Sequence, residues 1–291
     1  MTDNTRQAAD DAAEPRDAAS SASRARISSR EVEDVEARSS PRTPVIYEIV
    51  RRTGEEEMVR PLTSLWWSGL AAGLSISFSL LVQAILQQHI PDAPWRPLIT
   101  SLGYSVGFVM VVLARQQLFT ENTVTVILPV MAEPTARNFG RAARLWAIVL
   151  CANLAGTMFA AAFCSLTPTL PPEMRAEMIE ISRAILSHGA LDTAFKGVAA
   201  GFLMATMVWL LPSAESGQLG VIVTMTWLIS VGGFAHIVAG SMEAFMLVLN
   251  GAASPFEVTT GFLLPALIGN IIGGTALFAL LAYAQVMKEI D

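Results

Sequence analysis

Six apolar stretches, at about 64–87, 97–131, 141–165, 189–212, 218–250 and 258–287, leave this chain little choice of fold. Each is near the ~20 residues that an α-helix needs to cross hydrocarbon. Lipid cannot satisfy an open strand edge, so the stretches predict an all-α membrane protein with six transmembrane helices. Composition agrees, since 15% of residues are charged against about 25% in soluble domains. Much of that charge lies outside the apolar region. Residues 1–44 are rich in charge, Ser and Ala, contain no apolar run, and predict a disordered cytoplasmic tail without the h-region of a cleaved signal. Residues 45–62 form a juxtamembrane segment. Val45, Ile46, Ile49 and Val50 give it one apolar face, interrupted at Gly54, so it reads as a short helix or as a solvated linker. A transmembrane domain over 63–287 and a cytoplasmic C-terminus at 288–291 complete the organisation.

Charge narrows the function classes. A net charge of −6 with no basic run argues against nucleic acid. Cys151 and Cys164 fall in one predicted span, which implies neither a disulfide nor a metal cluster, and nothing in the sequence calls for a cofactor. With the tail inside, seven Lys and Arg near the span ends (Arg51, Arg52, Arg60, Arg137, Arg141, Arg144, Lys288) face the cytoplasm. Four (Arg96, Arg175, Arg183, Lys196) face outward. The bias predicts a multi-pass inner-membrane protein with both termini in the cytoplasm.

The two halves of the apolar region echo each other. Gly69 and Gly73 in span one match Gly197 and Gly201 in span four; Asn153 in span three matches Asn270 in span six. Between them, spans two and five are too long and too polar in the middle, and their interruptions centre near Thr120 and His236. Thr120 precedes Asn153 by 33 residues and His236 precedes Asn270 by 34. A unit of three crossings has its duplicate entering from the other face, so the predicted architecture is two inverted three-helix repeats with spans two and five broken. Small residues at this spacing also occur in any closely packed bundle; the matching order of two motif pairs around two broken spans is what favours the repeat.

Irregular backbone at membrane depth is tolerated where protein or a water-filled cavity satisfies it, so the two interruptions should face one pore. Half-helix N-termini aimed at its centre suit an anion. Leu118, Phe119 and Thr120 offer two apolar side chains and then a hydroxyl, as a narrow, partly dry constriction would need. His236 is the sole histidine within a predicted span and could donate a hydrogen bond or a proton to a weak-acid anion; alternatively, neighbouring carbonyls simply satisfy it. Arg115 and Glu121 are costly at this depth and each needs a partner or an aqueous vestibule. A structural ion pair between them is one reading; Glu121 lining the path is the other.

LeuPheThr at 118–120, PheAlaHis at 234–236, AsnLeuAlaGly at 153–156 and ProAlaLeuIleGlyAsnIleIleGlyGly at 265–274 resemble the formate/nitrite transporter family across residues 64–287. The resemblance implies an aquaporin-like protomer in a homopentamer, one pore per protomer, and a substrate such as formate, nitrite, hydrosulfide or lactate. It also implies that Thr120 and His236 are the central pore residues, that Leu118 and Phe119 are constriction residues, and that Tyr104, Phe108 and Ile229 lie beside them. Gly201 replaces an asparagine usual in the family, and Glu121 a small residue. The reading is a channel or proton-coupled transporter for small monovalent anions, not an enzyme. A neutral-solute pore of the aquaporin type lacks its Asn-Pro-Ala pair here, and a non-transporting membrane scaffold or sensor would use the tail.

Overall fold

The structure is a computed structural model that describes residues 41–289; the expectation of a disordered tail lies, up to residue 40, outside the described residues. All regular secondary structure among the described residues is helical. The elements are α1 (Thr43–Val59), α2 (Leu62–His89), α3 (Arg96–Leu113), α4 (Phe119–Thr125), α5 (Ile127–Ala132), α6 (Ala136–Leu166), α7 (Pro172–Ser182), α8 (Ala190–Ala214), α9 (Gln218–Val231), α10 (Ile237–Leu249) and α11 (Pro255–Val286).

Among the described residues, five helical runs are long and apolar enough to cross a membrane, and α10 is a shorter apolar helix. One of the five, Ala190–Val231, contains 42 residues. At 1.5 Å per residue it would reach ~63 Å as one rod, twice the ~30 Å hydrocarbon core. It is not one rod. Glu215 takes φ 34° and ψ −102° in the tight turn Glu215–Gly217, and α9 folds back to pack on α8.

The two most extensive helix pairings are α2 with α6 and α8 with α11. Their glycines explain why. A Cβ on Gly73 would sit 2.2 Å from the Asn153 carbonyl oxygen, and one on Gly201 would sit 2.3 Å from that of Asn270. Backbone meets backbone at both crossings, which is what small-xxx-small spacing permits in lipid.

The first helix corrects one expectation. Its buried residues are Tyr47, Val50, Gly54 and Met58, whereas Val45 and Ile49 are 44% and 42% exposed. The contacts select the face: Tyr47 packs its ring on Tyr283 at 6.1 Å, and Gly54 is the point of closest approach rather than an interruption. A Cβ there would lie 1.9 Å from the Thr125 carbonyl oxygen. Overpacking of this kind costs ~1–3 kcal/mol. We therefore expect Gly54→Ala to speed hydrogen exchange of the α1 amides at least ~10-fold, at ~1.4 kcal/mol per decade, and to leave α2 and α6 protected. Unchanged exchange in α1 would show that the glycine is dispensable.

Candidate functional site

Both chain interruptions are built by one hydrogen-bond scheme. After α3, Arg115 N–H donates to Val112 O and Gln116 N–H to Val111 O, each at 3.0 Å; after α9, Gly233 N–H donates to Ser230 O at 3.0 Å and Phe234 N–H to Ile229 O at 2.9 Å. Both turns pass through the left-handed region, with φ 51° at Arg115 and 61° at Gly233. Glycine adopts it freely, whereas arginine pays ~1–2 kcal/mol. The chain then runs extended into a half-helix, α4 or α10.

One asparagine clamps each interruption. Asn153 Oδ1 accepts from Phe119 N–H at 2.9 Å, while its Nδ2 donates to Gly69 O at 2.8 Å and Gln117 O at 2.9 Å. Asn270 Oδ1 accepts from Ile237 N–H at 2.8 Å, and its Nδ2 donates to Gly197 O at 2.9 Å and Ala235 O at 2.8 Å. Each asparagine thereby satisfies an orphan donor at a half-helix N-terminus and one carbonyl that the broken ladder leaves free, Gln117 O or Ala235 O, and ties both to a carbonyl of a neighbouring unbroken helix. This correspondence shifts the register expected from spacing. Leu118, not Thr120, matches His236: both precede a half-helix, with φ/ψ of −110°/125° and −106°/119°.

Thr120 and His236 do meet. Thr120 Oγ1 lies 2.8 Å from His236 Nε2, and both residues are buried. The other ring nitrogen fixes the tautomer. His236 Nδ1 accepts from Ala239 N–H at 3.1 Å, capping α10, so a neutral ring carries its proton on Nε2 and donates it to Thr120. The edge of one ring meets the face of the other between Phe108 and His236 at 5.0 Å, and Tyr104 stacks next along at 5.1 Å. Leu118, Phe119, Phe108 and Ile229 are buried in the cluster around this contact, with Phe119 also packed edge-on against Trp146 at 5.9 Å.

The two charges of the first interruption are not brought together. Arg115 is exposed at its turn, and no ion pair joins it to Glu121 among the described residues. Glu121 Oε1 is buried without a hydrogen-bond partner. The ion-pair expectation therefore fails, because the left-handed turn carries Arg115 away from α4. A residue the sequence reading passed over stands close by instead. Glu57, from α1, accepts from Gln117 Nε2 at 3.1 Å and from Thr125 Oγ1 at 2.8 Å. Burial pushes its carboxyl above the usual range, and these two hydrogen bonds partly oppose that shift.

On the other side of His236 is a cavity of about 200 Å³, lined among others by Tyr104, Lys196, Glu243 and Phe262. It stops at His236; Leu118, Phe119, Phe108 and Ile229 lie outside its lining. Glu243 also escaped the sequence reading, although a lone carboxylate in the apolar run of α10 was signal enough. Among the described residues no three His, Cys, Asp or Glu side chains converge as metal ligands.

Known proteins share this fold. Residues 44–284 match the model of the formate/nitrite transporter family. Inner membrane protein YfdC of Escherichia coli (strain K12) is 41% identical over 262 residues, covering 90% of this chain and 84% of the relative. Among solved structures, an FNT family ion channel superposes with TM-score 0.70 at 20% identity, over 84% of this chain and 98% of that one. A pentameric formate channel with formate bound superposes with TM-score 0.67 at 19% identity, over 78% and 98%. The fold is that of these channels, and the chain belongs to the formate/nitrite transporter family.

Proposed function

We propose that this protein is a channel or proton-coupled transporter for small monovalent weak-acid anions such as formate or nitrite. The observation that carries the reading is the Thr120–His236 contact, in which two broken helices meet at a buried hydrogen-bonding pair ringed by apolar side chains. The duplicated asparagine clamp supports two inverted three-helix repeats in an aquaporin-like protomer, and the turn at Glu215 supports six crossings in place of five. On this reading residues 63–287 are the transmembrane domain and 45–62 a juxtamembrane helix. The tail 1–44 and the C-terminus 288–291 lie in the cytoplasm of a bacterial cell, at its inner membrane. The resemblance to a pentameric formate channel supports a homopentamer with one pathway per protomer.

In the pathway so drawn, Leu118, Phe119, Phe108 and Ile229 exclude water, and Tyr104 lines the approach. The Nε2–H of His236 is the donor that a carboxylate or nitrite oxygen meets after displacing Thr120. One observation favours a second reading, a pore for neutral solutes: among the described residues Glu121 forms no ion pair and its Oε1 has no hydrogen-bond partner, and an ionised carboxylate there would repel anions. Flux into proteoliposomes separates the two. We expect formate and nitrite to cross at least ~10-fold faster than urea, the margin of ~1.4 kcal/mol that a single favourable contact supplies. Urea crossing as fast would establish the neutral pore.

A further inference from the structure

The cavity beyond His236 holds a lysine and a carboxyl that do not pair. His236, Gly240 and Glu243 are spaced by four and three residues, so they share one face of α10, and all three line the cavity. Lys196, from α8, lines it too. Lys196 has His188 as its side-chain partner, Nζ to Nε2 at 2.5 Å, and an ammonium has three N–H donors, so two stay free. The Glu243 carboxylate has no hydrogen-bond partner and no ion pair among the described residues, and no neighbouring charge offsets it. Of the other titratable groups facing the cavity, Tyr104 and His236 are held in the ring stack and His188 is held on Lys196.

An apolar ring lines the same cavity. The Phe262 ring fills the space that a side chain at position 240 would take, its Cζ lying 2.1 Å from where the Cβ would be. A lysine with free N–H donors and a carboxyl without a donor, both lining one cavity with an apolar ring, fit a ligand that ends in an anion and carries a hydrogen-bond donor nearby. A plain anion would satisfy Lys196 and leave the Glu243 carboxyl oxygens without a donor. With a water taking about 30 Å³, a cavity of about 200 Å³ has room for an acid of two to four carbons.

We infer that Lys196 and Glu243 form a selectivity site for small carboxylates bearing a hydrogen-bond donor beside the acid, a hydroxyl or an ammonium at carbon two. The carboxylate sits on Lys196, the donor on Glu243, and the carbon chain on Phe262. The inference rests on the transport reading for its purpose, but binding tests it alone. The full chain in detergent is melted against glycolate, glycine and acetate, which are alike in size; acetate lacks the donor.

Glycolate or glycine is expected to bind at least ~10-fold more tightly than acetate, about 1.4 kcal/mol, and so to raise the melting temperature at concentrations where acetate does not. Glu243→Met should abolish the preference, and Lys196→Met should abolish binding of all three. Glu243→Gln separates the two donors, because its carboxamide oxygen still accepts from a hydroxyl but does not neutralise an ammonium. Retention of glycolate's response with loss of any glycine response is the expected result, and loss of the glycolate response or an undiminished glycine response in Glu243→Gln overturns the inference. Equal stabilisation by acetate and glycolate, or stabilisation by none, also overturns it and leaves the transport reading intact. Proteoliposomes that pass no anion would overturn the transport reading without touching the binding result.

Discussion

Replacing Asn153 or Asn270 by leucine is expected to lower stability more than any other single change in the membrane region. Leucine matches the shape, so the effect isolates hydrogen bonding. Each substitution strands one buried N–H and one buried carbonyl, Phe119 N and Gln117 O in one case and Ile237 N and Ala235 O in the other, and removes a second bond from a carbonyl inside a helix, Gly69 O or Gly197 O. A buried polar group without a partner costs ~1–3 kcal/mol, and two of them cost ~2–6 kcal/mol, a large part of the ~5–15 kcal/mol that holds a typical domain folded. Lipid supplies no replacement donors or acceptors, which keeps the cost near the upper part of that range. Aspartate tests the division of labour, since it accepts from the half-helix N–H but cannot donate to the carbonyls. Thermal unfolding in detergent should give the order wild type, Asp, Leu at both positions. Leucine variants melting within ~2 °C of wild type, a shift that corresponds to no more than ~1 kcal/mol in a domain of this size, would mean that the clamps are incidental.

These asparagines were legible in the sequence as a motif pair at matched spacing, and so were the glycines packed beneath them. Their side chains, or the lack of one, carry the structural role, and a repeat in such roles leaves a repeat in letters. The register within the interruptions was not legible for the converse reason. Leu118 and His236 hold the same place because their backbones do the same thing, and leucine and histidine share no side-chain chemistry that spacing could align. Arg115 shows the same blindness. It occupies the left-handed position that Gly233 occupies in the other half, and a basic residue at membrane depth suggests an ion pair more readily than a turn. Glu57 was hidden by distance, since it lies 60 residues before Gln117, its hydrogen-bond partner. The meeting of Thr120 with His236 followed from two broken spans facing one pore, and the resemblance added their role as the central pore residues.

That meeting gives the second large effect. His236→Asn is expected to leave the fold nearly intact and to cut formate flux into proteoliposomes at least ~10-fold, with loss of whatever response to pH the wild type shows. The two halves of the expectation come from the two ring nitrogens. Nδ1 caps α10 by accepting from Ala239 N–H, and an asparagine oxygen is among the best N-caps, so this task is retained. Nε2 reaches across to Thr120 Oγ1; asparagine is too short to do both, and it offers no ring nitrogen to carry or pass on a proton. Alanine removes the cap as well and should cost ~1 kcal/mol more than asparagine, which ties the stability difference to Nδ1 and the flux difference to Nε2. Thr120→Val removes the same contact from the opposite half-helix, so on the transport reading the double variant should conduct no worse than His236→Asn alone, since one interaction cannot be lost twice. Flux and pH response unchanged in His236→Asn would reduce the histidine to a helix cap. Multiplicative losses in the double variant would give the two residues separate tasks along the path.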